Sequence, residues 1–136
     1  MTLVVDASVA IKWFVEESFH EAAVDLFRLR EEIAAPDLLI CEVANIAWKK
    51  AVRGEIENRQ AATIVTGIVE LHIEFFPAGT IVMGALSSAL KRKHPVYDAL
   101  YLSLADQLGA TLVTADRALY SFARDENLRA RLLGAT

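Results

Sequence analysis

Residues 3–11 read LVVDASVAI, and this stretch decides the architecture. Thr2 to Val5 is a short run rich in β-branched and apolar residues that does not alternate with polar ones. It predicts a strand buried on both faces, ending at Asp6. From Ser8 to Val15 the character turns helical, until Glu16 to Ser18 breaks it. A buried strand running directly into a helix is the opening of a parallel α/β sheet.

The rest of the chain repeats that alternation. A helix is expected over Phe19–Glu31, with Ala22, Ala23, Leu26, Phe27 and Leu29 on its apolar face. Ile33–Ala35 is a short strand before Pro36. Asp37 is expected to cap a long helix from Leu38 to about Arg53, closed by Gly54. Glu57–Leu71 is a helix with Ala61, Ile64, Val65, Ile68 and Leu71 at buried spacing, and Ile73–Phe76 a strand stopped by Pro77. Thr80–Lys93 is a helix with a basic C-terminal end, which suits the macrodipole. Pro95 opens the next helix, which runs to Leu108 and stops at Gly109. Thr111–Thr114 is a strand and Arg117–Arg124 a helix. The tail from Glu126 to Thr136 holds a last edge strand around Leu132. Together these elements predict one α/β sandwich around a parallel sheet, spanning residues 1–136.

Four acids interrupt the apolar runs: Asp6 in LVVDASVAI, Glu42 in LLICEVANIAW, Asp98 in PVYDALYLSLA and Asp116 in ATLVTADRAL. An unpartnered carboxylate taken out of water costs several kcal/mol or neutralises itself. Asp6 and Asp116 fall at strand ends, where parallel sheets carry their sites. Individually, Asp116 reads as an N-cap, Asp98 as a first-turn acid and Asp6 as the start of an Asx turn. Glu42 sits mid-helix and has no such role. Together they point to one divalent metal site, because hard carboxylate oxygens suit Mg²⁺ and Mn²⁺. Such ions activate water and stabilise the leaving oxygen of a phosphodiester without any Ser, Cys or His nucleophile.

Composition narrows the classes. The 136 residues suit a single domain, and 54% are hydrophobic, more than one small domain readily hides, so a homodimer is expected. Fourteen basic against 18 acidic residues give a net charge of −4, which excludes coating nucleic acid by bulk positive charge but not a metal-assisted nuclease. The single cysteine, Cys41, rules out an internal disulfide framework and Cys-rich zinc sites; it is expected to be a small buried hydrophobe. Asp6 and Lys12 interrupt the apolar N-terminus, which also lacks the basic start of a signal peptide. No stretch approaches the roughly 20 apolar residues of a membrane span. Cytoplasmic residence is expected.

The ordered set VVDASVAIKWF, LLICEVANIAW, YDALYLSLA and LVTAD resembles the four acidic motifs of the PIN domain, above all its VapC-type toxin branch, over nearly the whole chain. The resemblance implies a three-layer α/β/α sandwich with a short central parallel sheet. It further implies an endoribonuclease that uses Mg²⁺, with Mn²⁺ as a substitute, and pairs with a VapB-type antitoxin. Asp6, Glu42, Asp98 and Asp116 would take the acidic roles, with Asp6 and Asp98 as the foremost direct ligands. Ser8 and Thr114 would be supporting hydroxyls.

Lys12, Lys49, Lys50, Arg53 and Arg92 are candidate contacts to RNA phosphates, set against the plainer reading of a solvated surface. Trp13 and Trp48 are expected in the core or a dimer contact rather than under bases. His20, His72 and His94 show no metal or acid–base spacing. Two other classes compete. A phosphatase-like phosphotransfer domain would want a second Asp where Ser8 stands. A non-catalytic acidic scaffold would use the carboxylates only to bind a partner.

Overall fold

The computed structural model describes residues 1–135, which form five strands and seven helices. The strands are β1 (Thr2–Val5), β2 (Glu32–Pro36), β3 (Ile73–Phe76), β4 (Thr111–Thr114) and β5 (Ala130–Leu132). They make one all-parallel sheet in the order β3-β2-β1-β4-β5. The helices are α1 (Ala7–Ala10), α2 (His20–Asp25), α3 (Leu38–Val52), α4 (Asn58–Glu70), α5 (Val82–Arg92), α6 (Val96–Leu108) and α7 (Arg117–Asp125).

The strand order determines the layers. Connections from β1 to β2 and from β2 to β3 move one way along the sheet. Those from β3 to β4 and from β4 to β5 move the other way. With right-handed crossovers, α1–α4 cover one face and α5–α7 the other, the expected three-layer sandwich. Val4, Val5, Ala34, Ala35, Leu112 and Val113 are shut off from solvent between the layers. The direction of winding reverses between β1 and β4, so the crevice beyond their carboxyl ends is where a ligand site belongs. None of the helices among the described residues is long and apolar enough to cross a membrane.

Several boundaries differ from expectation. The helix expected over Phe19–Glu31 is α2 followed by a 3-10 turn over Leu26–Leu29; Arg30 then takes φ 54° to bring the chain into β2 at Glu32. Only Ala23 and Leu26 of its five expected core residues are fully buried. The helical stretch after Asp6 likewise divides into α1 and a 3-10 turn over Ile11–Trp13. Residues 78–80 are a separate 3-10 turn, so α5 starts at Val82.

Asp37 precedes α3 but does not cap it with its side chain. Its Oδ1 accepts from the Ala78 amide at 3.0 Å, while its own amide donates to the Phe76 carbonyl, tying β2 to the end of β3. Cys41 is exposed, not buried. Leu39, Val43 and Ala47 form the buried line of α3 at four-residue spacing, which turns position 41 toward solvent.

Candidate active site

Asp6 leaves β1 in an extended conformation and its side chain caps α1, accepting from the Val9 amide at 3.4 Å. Two hydroxyls complete its shell. Ser8 Oγ donates to Oδ1 at 2.7 Å and Thr114 Oγ1 donates to Oδ2 at 2.8 Å. Each hydroxyl also accepts one bond from the β4 exit: Ala115 N–H to Ser8 at 2.9 Å, Asp116 N–H to Thr114 at 3.0 Å. A hydroxyl has a single proton, and both are committed to Asp6. The 3.3 Å approach of Ser8 to Thr114 is therefore proximity rather than a further bond. The supporting hydroxyls expected from sequence thus fasten the ends of β1 and β4 together through Asp6.

Asp116 lies at the adjacent strand exit, exposed, and caps α7 by accepting from Ala118 N–H at 2.8 Å and Leu119 N–H at 3.4 Å. Asp98 occupies the first turn of α6 and Glu42 the second turn of α3; both are half-buried. Glu42 Oε1 accepts from the Tyr101 hydroxyl at 2.5 Å.

The carboxylates feel one another. Burial pushes Asp6 up to about 6, against its bonds from Ser8, Thr114 and Val9, and the charge of Asp116 raises it further. Burial also lifts Asp98, reinforced by Asp116 and opposed by His94. Glu42 is raised by burial and by the charge of Asp98, with the Tyr101 bond pulling the other way. Burial followed by the nearby carboxylates Glu42, Asp6 and Asp98 drives the Tyr101 phenol far above its ordinary range, so it stays protonated. The four acids therefore share one negative field.

Among the described residues, no three Asp, Glu, His or Cys side chains stand grouped closely enough to hold an ion as they are. The four carboxylates act on one another without standing as a tight ion-holding group. Their chemistry still fits Mg²⁺ or Mn²⁺. The donors are hard oxygens, and such ions take only one or two carboxylates directly, with water in the remaining positions. The ion pairs among the described residues engage Glu17, Asp25, Glu31 and Glu126 but none of the four site acids. Only His94, acting on Asp98 without an ion pair, opposes their mutual repulsion among the groups that shift them.

The basic candidates separate into two groups. Lys12 and Lys50 both bind Glu17, at 3.4 and 3.0 Å. Burial alone would raise Glu17, but the two lysines hold it below its ordinary value. Arg92 reaches Glu126 at 3.3 Å, whereas Lys49 and Arg53 are exposed on or just beyond the last turn of α3. His94 is buried against Phe122 with Nε2 3.4 Å from Glu126, and His20 Nδ1 lies 2.5 Å from the Lys12 carbonyl. Trp13 donates to the Ala23 carbonyl and packs on Phe27, as a core residue would, while Trp48 is 58% exposed. Tyr101 escaped the sequence reading. Its signal was its position three residues after Asp98, which puts both on one helix face.

A family model described as the PIN domain matches residues 3–125. Ribonuclease VapC3 of Pyrobaculum aerophilum is 35% identical over 121 residues, covering 88% of this chain and 92% of that protein. The crystal structure of Mycobacterium tuberculosis VapC20, a toxin that cleaves the sarcin–ricin loop, superposes with a TM-score of 0.68 at 12% identity, over 88% of this chain and 93% of that one. VapBC2 of Rickettsia felis, bound to a DNA fragment from its promoter, gives a TM-score of 0.67 at 15% identity, over 97% and 98%. The two structural likenesses bear on fold alone; the family match and the sequence identity carry the assignment. The chain belongs to the PIN-domain family, among the VapC-type ribonucleases.

Proposed function

We propose that this chain is a divalent-metal-dependent endoribonuclease acting as the toxin of a VapBC-type toxin–antitoxin pair. The observation that carries the reading is the shared field of Asp6, Glu42, Asp98 and Asp116 at the β1–β4 switch point, unpaired with any protein cation among the described residues. Asp6 and Asp98 are assigned as direct ligands, with Glu42 and Asp116 acting beside them. When bound, Mg²⁺ or Mn²⁺ supplies positive charge to the phosphodiester and makes water acidic enough to attack near neutral pH. The chain's own residues do the rest. Ser8 and Thr114 fix Asp6 in one orientation before any ligand arrives, and Asp116 presents an exposed carboxylate at the open rim. In-line hydrolysis would leave 5′-phosphate and 3′-hydroxyl ends.

Lys49 and Arg53 are the basic candidates best disposed to RNA phosphates. Lys12, Lys50 and Arg92 would first have to share or leave their carboxylate partners. The VapB-type antitoxin reading is supported by the family and by the exposed groove between α3 and α4, lined by Ala44, Ala47, Trp48, Ala51 and Val52. The homodimer reading is supported by Met83, Leu86 and Leu90 on α5, all exposed. An RNA substrate fits the cytoplasmic residence expected from the sequence.

The test is cleavage of labelled RNA by purified protein in Mg²⁺, in Mn²⁺ and in EDTA, beside Asp98→Asn purified identically. Cleavage that needs metal and vanishes in the variant is the expected result. Equal cleavage by both proteins, or cleavage that persists in EDTA, overturns the proposal.

A further inference from the structure

Resting on the metal-site reading above, we infer that Tyr101 is a positioning residue of the site: its hydroxyl holds one oxygen of Glu42 and leaves the other for the bound ion and its waters. The two residues come from different elements, α3 and α6, 59 positions apart in the chain. Their bond, at 2.5 Å, is the shortest of those anchoring the site acids. The ring of Tyr101 is 2% exposed and belongs to the core, so its hydroxyl projects from a fixed base. A glutamate on a helix surface has three freely turning side-chain bonds. Glu42 is half-buried and has no capping partner to restrain it, so the phenol is what selects its orientation.

The placement of Tyr101 gives the bond a wider meaning. Asp98 sits one turn earlier on the same helix. Tyr101 thus ties the helix that carries Asp98 to the helix that carries Glu42. It is also neutral, so it orients Glu42 without cancelling the charge that draws a cation. A lysine or arginine there would orient Glu42 equally well and neutralise it. Partners of this kind behind a metal-binding carboxylate typically contribute ~10- to 100-fold in affinity or activity. A purely structural alternative is that the bond only satisfies a buried hydroxyl.

The experiment measures Mn²⁺ binding by titration calorimetry for wild type, Tyr101→Phe, Glu42→Gln and the double variant, with thermal unfolding of each in EDTA. The expected result is that Tyr101→Phe weakens Mn²⁺ by ~10- to 100-fold with its melting temperature little changed. On the Glu42→Gln background the same substitution should then weaken binding by less than about twofold, the non-additivity of two residues acting as one. Tyr101→Phe binding as tightly as wild type overturns the inference. So does an equal loss on both backgrounds, or loss of the folding transition, because either makes the hydroxyl structural. Failure of wild type itself to bind Mn²⁺ overturns the metal-site reading as well, which separates the two failures.

Discussion

The exits of β1 and β4 are neighbours built to the same local plan with opposite outcomes. Each strand ends in an aspartate whose carboxylate caps the helix that follows, Asp6 for α1 and Asp116 for α7. Asp116 faces water, and capping there is an ordinary stabilising interaction. Asp6 is 7% exposed, and its three hydrogen bonds do not repay its lost hydration, so it is pushed up to about 6. The same motif stabilises at one strand end and stores a cost at the other, and the difference lies in burial. The costly copy is the one held in place by Ser8 and Thr114, which is where a charge must be ready for a cation.

The largest expected effect concerns activity. Asp6→Asn should lower metal-dependent RNA cleavage by more than ~100-fold, beyond what loss of an outer partner costs. Single-turnover cleavage at saturating Mn²⁺ checks this, and near-wild-type turnover would remove Asp6 from the ligand set.

Stability should move the other way. Asp6 ionises less readily in the folded chain than in the unfolded one, where its value is 3.8. Its charge therefore opposes folding above about pH 6, the opposition fades as pH falls from 6 toward 4, and it is gone below the unfolded value. In EDTA, Asp6→Asn should gain on wild type by about 2 kcal/mol between pH 4 and pH 8, because only wild type titrates at this position and each tenfold change in proton affinity is worth about 1.4 kcal/mol. Urea melts at pH 8 and pH 4 check it, and a stability gap that does not narrow at pH 4 would break the comparison.

Thr114→Val removes the hydroxyl that donates to Asp6 and accepts from the Asp116 amide, in a site with no exposure. A loss of about 2 kcal/mol is expected, with a further rise in the Asp6 pKa seen by carboxyl NMR. The smallest effect belongs to the exposed partner. Asp116→Ala should cost about 1 kcal/mol as a lost N-cap, in contrast to the gain at Asp6. A gain at position 116 would mean that burial does not set the two exits apart.

Much of this was legible in the sequence. Strands β1, β2 and β4 appeared where β-branched or apolar runs were stopped by Asp or Pro, because strands buried on both faces leave a continuous signature, whereas the edge strand β5 carries Arg131 and was marked only around Leu132. The long helices α3, α4 and α6 were clear for a comparable reason: their apolar periodicity is sustained and their ends carry Gly54, a Glu57–Gln60 capping box, Pro95 and Gly109. Phe19–Glu31 was misread because a left-handed Arg30 has no sequence mark, and Cys41 because its neighbours are apolar while its own helix face is not buried. The acids Asp6, Glu42, Asp98 and Asp116 stood out as charges in apolar surroundings. The bond from Tyr101 to Glu42, and the action of the carboxylates on one another, depend on side-chain directions across elements far apart in the chain. The pairing of Lys12 and Lys50 with Glu17 is a three-body contact that no local pattern announces.

The bond from Thr114 to Asp6 spans 108 residues. During synthesis Asp6 and Ser8 emerge together, yet neither the second hydroxyl anchor, Thr114, nor Asp116 exists until β4 has been made. Parallel pairing of β1 with β4 is likewise a slow contact to form, because it joins Leu3 to Thr111 across a long stretch of chain. A nascent chain on the ribosome therefore carries β1, α3 and even α6 without a finished site. For a protein proposed to cut RNA, the topology delays activity until β4 and Asp116 have been translated.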